Sequence, residues 1–94
     1  MRLDKFLQVS RIVKRRAVAN EICDRGRVLV NGKPAKAGKE LAVGDQLSVS
    51  FGGGETIVYE ILEVPSGNVP KGKAETLYRE IKREKSGEEW YTGE

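Results

Sequence analysis

The chain has 94 residues, a formal net charge of +3 and no histidine, and its apolar residues together with glycine make up about 47% of it, as in an ordinary globular domain. That length supports one domain with a modest core; the missing histidine removes imidazole bases, His-containing triads and His metal ligands, and the single cysteine, Cys23, excludes an internal disulfide and a Cys-rich zinc site. No run approaches the ~20 apolar residues of a membrane span, and the opening Met1-Arg2-Leu3-Asp4-Lys5 lacks the apolar stretch of a signal peptide, so the expected location is cytoplasmic, with no membrane partner.

Leu3, Phe6 and Leu7 recur at i, i+3 and i+4 and predict a short amphipathic helix over 2–9. Asp4 falls in its first turn, where a negative charge favours the helix dipole. A second helix is predicted from Lys14 to Asp24, with Val18, Ala19, Ile22 and Cys23 on its apolar side. Gly26 follows, where a left-handed residue commonly ends a helix. The period then changes to two. Arg27–Val30 reads as a short strand, Asn31-Gly32 as a tight turn, and Lys33–Lys36 as the return. After a Gly44-Asp45 turn, Leu47, Val49 and Phe51 alternate with Gln46, Ser48 and Ser50 as a half-buried strand; Gly52–Gly54 turns it into an antiparallel partner over 56–62. Residues 65–73 carry two prolines and two glycines and read as a linker. Leu77, Tyr78 and Ile81, with Glu75 and Arg79 at i, i+4, predict a helix over 74–85, and 86–94 reads as a frayed acidic tail carrying Trp90 and Tyr91. The expected fold is α+β: two N-terminal helices packed on a small, mainly antiparallel sheet, with a C-terminal helical extension. The expected division is a domain over 1–64, followed over 65–94 by linker, short helix and flexible acidic tail.

Charge is segregated along the chain. Residues 1–39 hold 11 Lys and Arg against three acids, whereas 40–94 hold six against 11. A basic front half facing a polyanion, with an acidic rear limiting non-specific adhesion, accounts for that asymmetry. Arg11-Ile12-Val13-Lys14-Arg15-Arg16 is the densest cluster, at the junction of the two helices. Arg2 and Lys5 from the first helix, and Lys33 and Lys36 after the Asn-Gly turn, extend it. Two readings of these cations stand: a phosphate-binding surface, which guanidinium forks and helix-start amides both suit, or a solvated basic face. Cys23 reads as a small core residue, Asp4 as a helix-start charge, and no catalytic constellation assembles. Neither a cofactor nor a metal is expected.

Taken together, Arg2-Leu3-Asp4-Lys5-Phe6-Leu7, Lys14-Arg15-Arg16-Ala17, Gly26-Arg27-Val28-Leu29-Val30-Asn31-Gly32 and Gly44-Asp45 resemble the alpha-L RNA-binding motif, the domain of small-subunit ribosomal protein S-four, over about residues 1–51. With so short an extension the chain resembles the stand-alone members, the ribosome-associated quality-control factors and the related ribosome-associated heat-shock proteins. The resemblance implies RNA-facing roles for Arg2, Lys5, Lys14, Arg15 and Arg16, and for Lys33 and Lys36 in the basic turn. It also implies a non-enzymatic monomer that binds obstructed large ribosomal subunits, touching ribosomal RNA and peptidyl-transfer RNA beside a factor that tails stalled chains without a template. The heat-shock relatives carry a longer basic tail, whereas this chain ends in acidic sequence, which favours the quality-control branch. Two other readings are an accessory RNA-binding subunit of an RNA-modifying enzyme and a general nucleic-acid chaperone.

Overall fold

Helix α1 spans Leu3–Val9 and helix α2 spans Arg16–Asp24 in the computed structural model, which describes residues 1–51, 54–66 and 69–85. The apolar stripe of α1 is wholly inside, with Leu3, Phe6 and Leu7 showing no exposed surface, while α2 adds Ala19 and Cys23. Burying each large side chain of that stripe stabilises the fold by roughly 1.5–3 kcal/mol. At the end of α1 the Ser10 hydroxyl donates to the Leu7 carbonyl at 3.3 Å, and Arg11 turns the chain at φ 65°. Helix α2 begins two residues later than the pattern predicts. Val13 is buried and its N–H donates to the Leu7 carbonyl at 3.0 Å, which keeps the connection extended through Arg15 at φ −117°, ψ 135°. Lys14 therefore lies in the connection and Arg15 is the helix N-cap. At the other end Gly26, at φ 73°, closes a Schellman motif: its N–H donates to the Cys23 carbonyl and that of Arg27 to the Ile22 carbonyl, both at 3.0 Å.

Five antiparallel strands follow: β1 (Val28–Val30), β2 (Lys33–Pro34), β3 (Gln46–Ser50), β4 (Glu55–Ile61) and β5 (Tyr78–Lys85), in the spatial order β2-β1-β3-β4-β5. The register stacks Val28, Val49 and Ile57 in one row and Val30, Leu47 and Tyr59 in the next. All six are buried in the same core as the α1 stripe. The alternate row of Leu29, Ser48 and Val58 is only half-buried. The β1–β2 turn has Asn31 at φ 52° and Gly32 at φ 85°, the positive pair a two-residue type I′ hairpin requires. The Asn31 amide group donates to Asp45 Oδ1 at 3.1 Å while its Oδ1 accepts the Gln46 N–H at 3.0 Å; Asp45 Oδ2 accepts the Ala42 N–H at 2.9 Å. The two turn signals of the sequence are thus one hydrogen-bonded unit.

Residues 74–85 do not form the predicted helix. Lys71–Leu77 is a 3-10 helix, and Tyr78–Lys85 is a strand paired with β4. Arg79 is drawn across the sheet to Glu60, Nη2 to Oε1 at 2.6 Å, in place of Glu75 one helical turn away. The Tyr78 ring meets Tyr59 edge-to-face at 5.1 Å. Pairing the otherwise open edge of β4 and burying these rings outweighs a few tenths of a kcal/mol of helical i, i+4 pairing. The register slips between Val58 and Tyr59, leaving Ile81 without a partner opposite it and 45% exposed. The sheet therefore runs through the chain on both sides of residue 64. The Gly52-Gly53 turn and the expected acidic tail over 86–94, with Trp90 and Tyr91, lie outside the described residues.

Candidate nucleic-acid interface

Packing α1 against α2 brings the side chains of Arg2, Asp4, Arg16 and Asn20 together. Asp4 is 2% exposed, and its carboxylate accepts from Arg2 Nη2 at 3.5 Å, Arg16 Nε at 3.3 Å, Asn20 Nδ2 at 3.4 Å and the Lys5 N–H at 2.8 Å, with Arg2 Nε in ion-pair contact at 3.3 Å. Burial alone would raise its pKa. The hydrogen bonds from Asn20 and Arg16, the Arg16 charge and the Lys5 amide more than offset that, and the carboxyl titrates below its ordinary 3.8. Helix α2 has no side-chain cap and no acid in its first turn, so Asp4 of α1 supplies the negative charge beside the cation Arg16 at its start, where the helix dipole disfavours one. Arg16 is held by its Nε and Arg2 by its Nε and Nη2, and both stay about half exposed, at 51% for Arg2 and 48% for Arg16. The exposed parts of both side chains remain able to donate to phosphate oxygens.

Around this pair the surface is concave. A cleft of about 390 Å³ is lined by Arg2, Lys5 and Arg16 with Met1, Glu40, Pro65 and Ser66. Its neighbour, about 420 Å³, is lined by Lys5, Arg11, Lys14, Gln8, Val9 and Val69. Lys5 belongs to both, so five of the eight predicted cations line two adjoining clefts along α1. Arg15 is exposed at the N-cap of α2 and lines neither cleft. Lys33 and Lys36 lie elsewhere, on a groove along the β1–β2 hairpin.

Ion pairing divides along the same line. On β4 and β5, Arg79 pairs with Glu60, Lys82 with Glu84, and Arg83 with both Glu55 and Glu80. Lys5, Arg11, Lys14 and Arg15 have no carboxylate within ion-pair distance among the described residues. Cys23 is buried, and burial with the charges of Asp4 and Asp24 pushes its thiol up to about 11, which leaves it a packing residue. Among the described residues no group of three or more His, Cys, Asp or Glu could hold a metal ion, and no helix is long and apolar enough to cross a membrane.

Comparison with known families matches the S4 domain to residues 1–47, the stretch that holds both helices and the β1–β2 hairpin. The chain belongs to the S4 domain family. A Halalkalibacterium halodurans protein named RQC P-site tRNA stabilizing factor is 50% identical over 84 residues, covering 89% of this chain and 92% of the relative. A Bacillus subtilis protein of the same name is 43% identical over 88 residues, 94% of this chain and all of that one. In three dimensions the chain is similar to the trimeric structure of Vibrio cholerae heat shock protein 15, with a TM-score of 0.77 and 31% identity over 86% of this chain and 81% of that one. Three features of this S4 domain are absent from the sequence reading. Asp4 acts as the anchor of Arg2 and Arg16, Lys39 joins Lys33 and Lys36, and Pro65, Ser66 and Val69, beyond the matched segment, wall the clefts. Lys39 was detectable as the third cation at a spacing of three; the other two depend on tertiary packing.

Proposed function

We propose that this S4 domain protein is a non-catalytic RNA-binding factor of ribosome-associated quality control. It acts in the cytoplasm as a monomer on obstructed large ribosomal subunits that carry peptidyl-tRNA. There it contacts rRNA and tRNA and supports template-free tailing of the stalled chain beside a tailing factor. The observation that carries the reading is the pair of half-exposed guanidiniums fixed on buried Asp4 beside Lys5. The names borne by relatives of up to 50% identity over nearly their whole length supply the setting. Arg2, Lys5, Arg11, Lys14, Arg15 and Arg16 are the residues assigned to RNA on the helical side, with Lys33 and Lys36 on the hairpin.

The chemistry is phosphate and shape recognition. Among the described residues no aromatic ring lines either cleft, so affinity there comes from charge and backbone shape, not from base stacking. A-form RNA hides its major-groove edges and offers backbone geometry instead. Five phosphate contacts would give a slope of log K against log salt of about −4.5 on a duplex. Likeness to heat shock protein 15 favours a second reading, recycling of large subunits that carry nascent chains. Sucrose-gradient sedimentation of tagged protein from cells, with the co-purifying RNA identified, tests the proposal. Comigration with large subunits bearing peptidyl-tRNA, reduced at least tenfold by Arg16→Ala, is the expected result. A protein that stays at the top of the gradient at low salt refutes the ribosomal role. Arg2→Ala and Arg16→Ala proteins that both sediment like the wild type refute the assigned face.

A further inference from the structure

We propose that Ser66 is a regulatory phosphorylation site, placed so that its phosphoryl group fills the Arg2–Lys5–Arg16 cleft and closes it to RNA; this rests on the RNA-binding function proposed above. Among the described residues the other hydroxyls are engaged or covered. Ser10 is fully buried and bonded to the Leu7 carbonyl, Ser50 and Thr56 share a hydrogen bond at 3.3 Å, and the exposed Thr76 donates to the Lys73 carbonyl at 2.7 Å. Ser48 is half-buried within β3, and the Tyr59 and Tyr78 rings meet edge-to-face. Ser66 is exposed, has no hydrogen-bond partner among the described residues and lies on backbone outside any helix or strand. The chain leaves β4 with the Leu62 and Glu63 N–H groups both on the Leu77 carbonyl, at 2.8 and 3.2 Å, and from Val64 to Ser66 it makes no backbone hydrogen bond among the described residues. A kinase needs such a hydroxyl, because the oxygen must come in line with the transferred phosphorus and within reach of a catalytic carboxylate.

Its position gives the modification a consequence. Ser66 lines the cleft of Arg2, Lys5 and Arg16, where Lys5 has no carboxylate within ion-pair distance among the described residues and both arginines stay about half exposed beside Asp4. Glu40, the carboxylate among the described residues of that wall, is paired with the Met1 ammonium at 3.2 Å and is not a free base. The base therefore belongs to a separate protein kinase, which draws on a nucleoside triphosphate. Ser66 Oγ forms a bond to the γ-phosphorus and the bond from that phosphorus to the β–γ bridging oxygen breaks. The nucleoside diphosphate departs, and the hydroxyl proton passes to the kinase's carboxylate. The product carries about −1.5 to −2 charge on three acceptor oxygens. Tethered in the cleft wall, it takes the guanidinium and ammonium donors that an RNA phosphate would use, and its effective concentration there exceeds that of any phosphate in solution. On its other side Ser66 borders a groove of about 310 Å³ whose cation, Lys73, is accompanied by Glu63. Three cations against one make the helical cleft the stronger attractor.

Protein carrying phosphoserine at position 66, made by codon reassignment, is compared with the unmodified chain for binding of a short RNA duplex over a range of salt, and its phosphorus NMR signal is titrated with pH. Ser66 is exposed, and an unchanged thermal midpoint confirms that the modified protein is folded. The expected result is affinity about tenfold weaker near 0.15 M salt, with a salt slope shallower by about 2. The second ionisation of the phosphate falls below its ordinary value of about 6 and returns toward it when Arg16→Ala is added. Mass spectrometry of the chain isolated from its own cells shows the phosphorylated Ser66 peptide. Phosphoserine protein that binds the duplex as tightly as the unmodified chain overturns the inference and leaves the proposed function standing. So does a phosphate ionisation that Arg16→Ala does not move, or absence of the phosphopeptide from growing, stationary and heat-shocked cells alike. Unmodified protein that binds no duplex even at about 50 mM salt overturns the proposed function and this inference together.

Discussion

Replacing Asp4 by Asn removes one charge from the α1–α2 junction and leaves its shape. In the native protein the carboxylate satisfies two guanidiniums, the Asn20 amide and the Lys5 N–H. A hydrogen bond to a charged group is worth about 1.5–3 kcal/mol when buried, and both arginines here are about half exposed, so each of theirs is discounted to roughly 0.5–1 kcal/mol. The expected loss of stability is about 1–2 kcal/mol, or ~4–16 °C in thermal midpoint for a domain of this size. Because the folded carboxyl titrates below 3.8, the unfolded chain binds its proton first as pH falls. The stabilisation is complete above that value and disappears as pH drops through the lower, folded one, so wild type and Asp4→Asn differ at pH 7 and converge once the folded carboxyl is protonated. RNA affinity tests the anchoring role separately. Freeing two arginines adds about 0.5–1.5 kcal/mol of ordering cost for each on binding. Removing the negative charge relieves roughly 1 kcal/mol or less of repulsion with a phosphate beyond them. Ordering wins by about 1 kcal/mol, and the duplex should bind about fivefold more weakly at unchanged salt slope. Asp4→Asn protein that binds as tightly as wild type, or more tightly, shows that Asp4 does not position Arg2 and Arg16. A thermal midpoint independent of the substitution at pH 7 refutes the electrostatic account of the junction.

Asn31→Ala places a Cβ-bearing residue without a local hydrogen bond at φ 52° and removes the bonds to Asp45 and Gln46. The expected loss is about 2–3 kcal/mol, with Asn31→Gly, which tolerates the backbone, falling between it and wild type by thermal denaturation; equal losses for the two would show that the left-handed cost is absent. Cys23, with its thiol raised to about 11 and buried, should resist alkylation at pH 8 in the folded protein and react as urea opens the domain. Stoichiometric labelling within seconds in native buffer contradicts that placement.

Much of the fold is legible because its signals are local. The stripe Leu3, Phe6, Leu7, the Gly26 stop, the Asn31-Gly32 turn and the alternation through Val49 each fix one element from a few neighbouring residues, and the structure has all of them. The predicted C-terminal helix fails because its competitor is distant: Tyr78 and Arg79 find Tyr59 and Glu60 some 19 residues upstream, an attraction no window over 74–85 contains. The start of α2 shifts for the same reason, since the Val13–Leu7 hydrogen bond depends on how the chain leaves α1. At the site, the charge run identified Arg2, Lys5, Arg11, Lys14 and Arg16 as neighbours. What it concealed is that Asp4, which reads as a helix-start charge, is shared between two helices and holds two of those arginines.

The two core rows formed by Val28, Val49, Ile57 and by Val30, Leu47, Tyr59 each take their last member from β4, and Ile61 and Leu77 are buried beyond it. The S4 match ends at residue 47, inside β3. The segment that the S4 domain model matches and the segment that builds the core therefore have different ends. A graft cut at residue 47 would carry the arginines and their aspartate but leave Val28 and Val30 beside a half-made strand, without Pro65, Ser66 and Val69 of the cleft walls. A portable version of this binding surface has to be taken at least through β4, and the natural place to attach another protein is past β5, across the sheet from the hairpin edge at β2.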